Sequence, residues 1–84
     1  MGKYDKLVFQ ILHGLSDANI AFDDLQHLLE HLGFEMRIRG SHHMFRKAGI
    51  AEKINIQRQG AKATPYQVKQ VREVIQKYRL GSEE

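Results

Sequence analysis

The run Gly40-Ser41-His42-His43-Met44-Phe45 delivers two imidazoles from a glycine turn into a segment that ends in an aromatic residue. Side chains alternate between the two faces of a strand. If Phe45 packs into a core, His43 therefore shares its face, while His42, Met44 and Arg46 point to the opposite side. A bulge at Gly40 would reset that parity. On this reading His42 is exposed beside an arginine. An imidazole with its ordinary pKa near 6.5 takes up and releases protons at neutral pH, which suits general acid or base work on RNA. RNA supplies its own nucleophile: once the 2′-hydroxyl loses its proton, it attacks the neighbouring phosphorus, and nearby Arg or Lys stabilises the developing charge. Such chemistry requires neither a metal nor a cofactor. Two ordinary strand histidines account for the same residues without any chemistry.

The charge pattern supports a polyanionic ligand. The 84 residues carry a net charge of +3, but residues 36–79 hold eleven Lys or Arg against only Glu52 and Glu73. Residues 1–35 hold two lysines against six acids, and Glu83 with Glu84 adds two more negative charges. A positive segment of that size has a phosphate backbone as its natural partner, because each neutralised phosphate releases condensed counterions. Arg37, Arg39, Arg46 and Lys47 are the expected RNA contacts nearest the histidines. Lys62, Lys69 and Arg72 are expected to extend the surface. The alternative is a basic surface that serves only solubility.

Two other patterns compete for attention. His27-Leu28-Leu29-Glu30-His31 matches the H-x-x-E-H string of inverted zinc peptidases, and histidines at i and i+4 share a helix face. Such a site also needs a third ligand and a substrate cleft, for which this chain has little room, so the expectation is a solvated helix face without metal. Lys69, Arg72, Gln76 and Arg79 form a polar stripe on the last helix, readable as a phosphate track or simply as its wet side. Tyr66 and Phe45 do not make the interleaved aromatic array on which single strands stack.

Short elements must hold these residues in place. Tyr4, Leu7, Val8, Ile11, Leu12 and Leu15 recur at helical spacing, with Gly14 and Ser16-Asp17 as a stop. A second helix begins near Phe22-Asp23, with Asp23 as cap and Gln26 at the capping-box position, and ends at Gly33. Leu25, Leu28, Leu29 and Leu32 form its buried stripe. From Phe34 the period becomes two: Phe34, Met36 and Ile38 alternate with Glu35, Arg37 and Arg39. Gly40-Ser41 turns the chain into a second strand over 42–47, and 53–57 gives a third with Ile54 and Ile56 inward. Residues 58–63 read as a polar linker. Thr64-Pro65-Tyr66-Gln67 then combines an N-cap, a first-turn proline and a capping-box glutamine. Val68, Val71, Ile75 and Tyr78 line the last helix to Leu80, and Gly81 closes it.

The expected class is thus α+β in the order α-α-β-β-β-α, with a three-stranded antiparallel sheet covered on one face by helices and open on the other. One domain spans residues 1–84. The absence of cysteine removes disulfides and thiolate metal sites. With neither a signal-peptide core nor an apolar run near about 18 residues, a cytoplasmic protein without membrane association is expected.

Taken together, Leu25 to Gly33-Phe34, the block Gly40 to Phe45, Asn55-Ile56-Gln57 and the run Tyr66 to Arg72 resemble the HicA toxins of bacterial type II toxin–antitoxin systems. The resemblance covers about Phe22 to Leu80. It implies a fold like that of the double-stranded-RNA-binding domain (dsRBD-like) and an mRNA interferase, an endoribonuclease neutralised by a HicB-type antitoxin. The family's catalytic histidine directly follows the glycine-serine pair, a position held here by His42, with Ser41 and His43 as possible support. Two features depart from the family. Residues 1 to about 20 add an N-terminal helical extension, and the third strand reads Asn55-Ile56-Gln57-Arg58 where many members carry proline and a further histidine. His43 or Lys62 is left as the catalytic partner. The free protein is expected to be a monomer. Two rival readings are a non-catalytic RNA-binding module and an adaptor that docks an acidic protein.

Overall fold

The computed structural model describes residues 3–14 and 17–80. Helix α1 spans Lys3–Leu12, α2 Phe22–His31 and α3 Pro65–Tyr78; a short 3-10 turn, Asp17–Asn19, lies between the first two. Strands β1 (Glu35–Arg39), β2 (His42–Arg46) and β3 (Ile54–Ile56) form an antiparallel sheet in the order β1-β2-β3. The class is α+β, with the expected element order among its principal elements. Gly14, part of the expected stop, follows the end of α1 in the left-handed region at φ 62°, whereas Leu15, Ser16 and Gly81 lie outside the described residues.

Alternation decides the core. Phe45, Ile54 and Ile56 are fully buried on the inner face of the sheet and pack with Leu25, Leu28 and Leu29 of α2 and with Val68, Val71 and Ile75 of α3. Register fixes this face, since Met36 lies opposite Phe45 and Phe45 opposite Ile54. Helix α1 is no appendage: Leu7, Val8 and Ile11 belong to the same apolar cluster, and Tyr4 stacks on His31 with ring centroids 4.3 Å apart. Ile38, expected inward, is 58% exposed. It sits at the corner beside the Gly40 turn, past the cover of the helices.

Several boundaries differ from the sequence reading. The N-cap of α2 is Ala21, with no side-chain cap; Asp23 lies inside the first turn and pairs with Arg58 at 2.7 Å. Thr64 caps α3 by accepting from the Gln67 amide, as expected. The Gln67 side chain, however, does not close a capping box, because its Oε1 accepts from the Gln57 amide at 3.0 Å. The helix stops at Tyr78 with Arg79 in the left-handed region at φ 55°, while the amide of Leu80 reaches back to the Ile75 carbonyl.

The supposed linker at 58–63 is a small hairpin. Strands β4 (Arg58–Gln59) and β5 (Lys62–Ala63) pair across Gly60-Ala61, with Gly60 at φ 66° supplying the tight turn. Backbone bonds from Phe22 to Ala61 and from Ala63 to Ile20 stitch it to the start of α2.

The loop before β3 is tied to the end of α3. Lys77 and the Tyr78 hydroxyl donate to Glu52 at 2.8 and 2.6 Å, and the Ala51 amide donates to the same hydroxyl at 3.4 Å. These bonds, first from Lys77 and then from Tyr78, lower the Glu52 pKa from 4.5 to about 2. A carboxylate with a depressed folded-state pKa adds stability above its unfolded pKa and loses it as the proton binds. Stability is therefore expected to fall between about pH 4.5 and 2, and Glu52→Gln should flatten that limb. Acid-unfolding curves of the two proteins check this; coincident limbs would show that the cluster contributes nothing.

Candidate functional site

The open face of the sheet is built by the residues that alternate with its core. From β1 come Glu35, Arg37 and Arg39; from β2 come His42, Met44 and Arg46; from β3 comes Asn55. The pairing sets Arg39 directly opposite His42, Arg37 opposite Met44, and Met44 opposite Asn55. On this side lies an open groove of about 740 Å³, whose lining includes Arg37, Arg39, Met44, Arg46, Lys47 and Lys53. Glu35 is the one carboxylate that lines it beside these five cations. Lys53 entered no expectation as a ligand, although its place before Ile54 in an alternating run puts it on this face.

Lys47 has a particular seat. A Cβ built on Gly33 would fall 2.5 Å from its Nζ, and Gly33 itself adopts φ 99°. The glycine that ends α2 thus leaves room for the ammonium near the helix's carboxyl end, where the partial negative charge favours a cation.

His42 is exposed and pairs in the register with Arg39, which lines the groove. Its Nδ1 lies 3.3 Å from Asn55 Oδ1. An amide oxygen only accepts, so this contact is a hydrogen bond when the ring carries a proton on Nδ1; in the neutral ring that tautomer leaves the lone pair on Nε2. Asn55 is the partner that the sequence reading missed. With Ile54 and Ile56 assigned inward, the residue between them had to face outward, diagonally across from His42. In the turn before His42, Gln57 Nε2 donates to Ser41 Oγ at 3.5 Å.

His43 is on the other side of the sheet. It is partly buried, packs edge-on against Phe22 with centroids 4.8 Å apart, and its Nδ1 is buried without a hydrogen-bond partner. It cannot exchange a proton with a group bound over His42, so it is withdrawn as a catalytic partner. Arg58 covers the same Phe22 ring at 4.3 Å while holding Asp23.

Three of the expected phosphate ligands lie elsewhere. Lys62, on β5, donates to Asn19 at 2.9 Å and is not among the residues that line the groove. Lys69 is exposed on α3, in the helical layer that covers the opposite face of the sheet. Arg72 is structural: its Nη1 donates to both Asp17 oxygens at 3.0 and 3.1 Å and to the Ile11 carbonyl at 3.2 Å, with the side chain only 18% exposed. It binds the chain to itself, and the polar stripe on α3 is broken there.

His27, Glu30 and His31 of the H-x-x-E-H segment lie on the exposed side of α2, with Leu28 and Leu29 in the core and His31 stacked on Tyr4. Among the described residues no three His, Cys, Asp or Glu side chains converge as a metal ion would require. Among the same residues, no helix is long and apolar enough to cross a membrane. Comparison with known proteins returns no matching family model, no matching curated protein and no matching solved structure.

Proposed function

We propose that this chain is an endoribonuclease that needs no metal, with His42 as the proton-transfer residue and the groove beside it as the seat of the RNA backbone. The observation that carries this reading is one exposed imidazole, in contact with Asn55 through Nδ1 and opposite Arg39 in the register, where Arg39 lines a groove that gathers five cations and a single carboxylate. Nε2 accepts the proton of a ribose 2′-hydroxyl; the O2′–P bond forms as the P–O5′ bond breaks, and the departing 5′-oxygen takes a proton from the imidazolium or from water. Arg39, opposite His42 in the register, meets the charge that develops on the phosphate oxygens in this reading. Arg37, Arg46, Lys47 and Lys53 hold flanking phosphates.

The resemblance to the HicA toxins agrees with this geometry at the glycine-serine-histidine block, and it supplies the biological reading. The chain would act on mRNA in the cytoplasm as the toxin of a toxin–antitoxin pair, with a HicB-type antitoxin as its protein partner. Purified protein incubated with labelled RNA in the presence of EDTA should shorten the RNA; retarding it without shortening would favour the binding module instead. Arg37→Ala with Arg46→Ala should weaken RNA binding by roughly tenfold or more at moderate salt. The pair should also flatten the dependence of log Kd on log salt by about 0.7 for each phosphate that the variant no longer neutralises. An unchanged slope, measured by fluorescence anisotropy across a salt series, would place the RNA elsewhere.

A further inference from the structure

Neutral histidine has two tautomers, and only one leaves a lone pair on Nε2. In water the unconstrained ring prefers its proton on Nε2, which would turn the exposed nitrogen of His42 into a donor and disable it as a base. We infer that Asn55 is a positioning residue whose Oδ1 holds His42 in the Nδ1–H tautomer and fixes the plane of the ring on the open face of the sheet. The contact spans 3.3 Å and joins two strands that are thirteen residues apart in sequence. It follows from the register, because Asn55 faces Met44 and His42 is two residues before Met44 on the same face. Nothing packs Asn55 into the core: it is exposed between two fully buried isoleucines, so its identity is free of any demand from folding. The partner on β3 is thus an acceptor that orients the first imidazole, a role analogous to that of the third residue in hydrolytic triads.

The functional consequence rests on the ribonuclease reading, but the tautomer can be tested without it. Long-range proton–nitrogen NMR correlations of the free protein, recorded at about pH 8 where an ordinary imidazole is neutral, report which nitrogen of His42 is protonated. The expected result is Nδ1–H in the wild type, a shift towards Nε2–H in Asn55→Ala, and retention of Nδ1–H in Asn55→Asp, which keeps an acceptor oxygen in place. With RNA, Asn55→Ala should lower kcat by about tenfold to a hundredfold with KM changed less than about twofold, and Asn55→Asp should restore most of the loss. Nε2–H in the wild type, or the same tautomer in wild type and Asn55→Ala, would overturn the assignment. A protein that shows the Asn55-dependent Nδ1–H tautomer yet cuts no RNA would instead overturn the ribonuclease reading and leave the role of Asn55 standing.

Discussion

His42→Ala is expected to reduce RNA cleavage by about 10²- to 10⁴-fold, the range that a positioned general base or acid contributes, and to abolish growth arrest when the chain is expressed alone. The size follows from the site. Among the described residues no second imidazole shares the open face of the sheet, since His43 points inward against Phe22, so removal of His42 leaves only the cations of the groove to act on the phosphate. The loss should be one of rate and not of folding: the side chain is exposed, and its hydrogen bond to Asn55 joins two exposed residues. A stability change within about 0.5 kcal/mol is expected by urea denaturation. RNA affinity should fall little, because the proposed phosphate ligands are Arg37, Arg46, Lys47 and Lys53. A variant that folds, binds and still cleaves at the wild-type rate would remove His42 from the mechanism.

Phe45→Ala should have the largest effect on stability, about 3–5 kcal/mol. Phe45 is fully buried at the centre of the sheet, between Met36 of β1 and Ile54 of β3. Its removal opens a cavity where the sheet meets the helices. A chain of this size has roughly 4–13 kcal/mol of stability in all, so the variant should be close to unfolding at 37 °C. The substitution also bears on the site, because the packing of Phe45 is what turns His42 outward; a one-residue slip would bury His42 and expose His43. Urea titration followed by far-ultraviolet circular dichroism measures the cost. A loss below about 1 kcal/mol would mean that the strand is anchored by something other than this ring.

Strand parity is the most legible part of the sequence. Alternation about Phe45 places His42 and His43 on opposite faces, and the same rule applied to Ile54 and Ile56 points to Asn55. That residue escapes a reading that searches the third strand for a further histidine and overlooks what the strand offers to the first. Burial is less legible, since a period says which residues share a face but not what covers that face. Ile38 has the spacing of a core residue and lies beyond the helices. The hairpin at 58–63 has strands of two residues each, too short to show a period, and only Gly60 hints at its turn. Arg72 looks like part of a wet stripe because its partner, Asp17, lies 55 residues away in sequence. Long-range ion pairs of that kind leave no mark on local pattern, and this one removes an expected phosphate ligand. Arg37, Arg39, Arg46 and Lys47, by contrast, are local to the strands they decorate, and the sheet gathers them as their spacing requires.

The chemistry assigned to His42 leaves a signature in the product. Attack by a ribose 2′-hydroxyl yields a 2′,3′-cyclic phosphate on one fragment and a 5′-hydroxyl on the other. Mass spectrometry of a short RNA digested in EDTA by the wild type, with His42→Ala in parallel, reads those ends directly. Cyclic phosphate ends that appear with the wild type and vanish with the variant are the predicted result. Fragments ending in 5′-phosphate and 3′-hydroxyl, or an RNA that stays whole with both proteins, would contradict it.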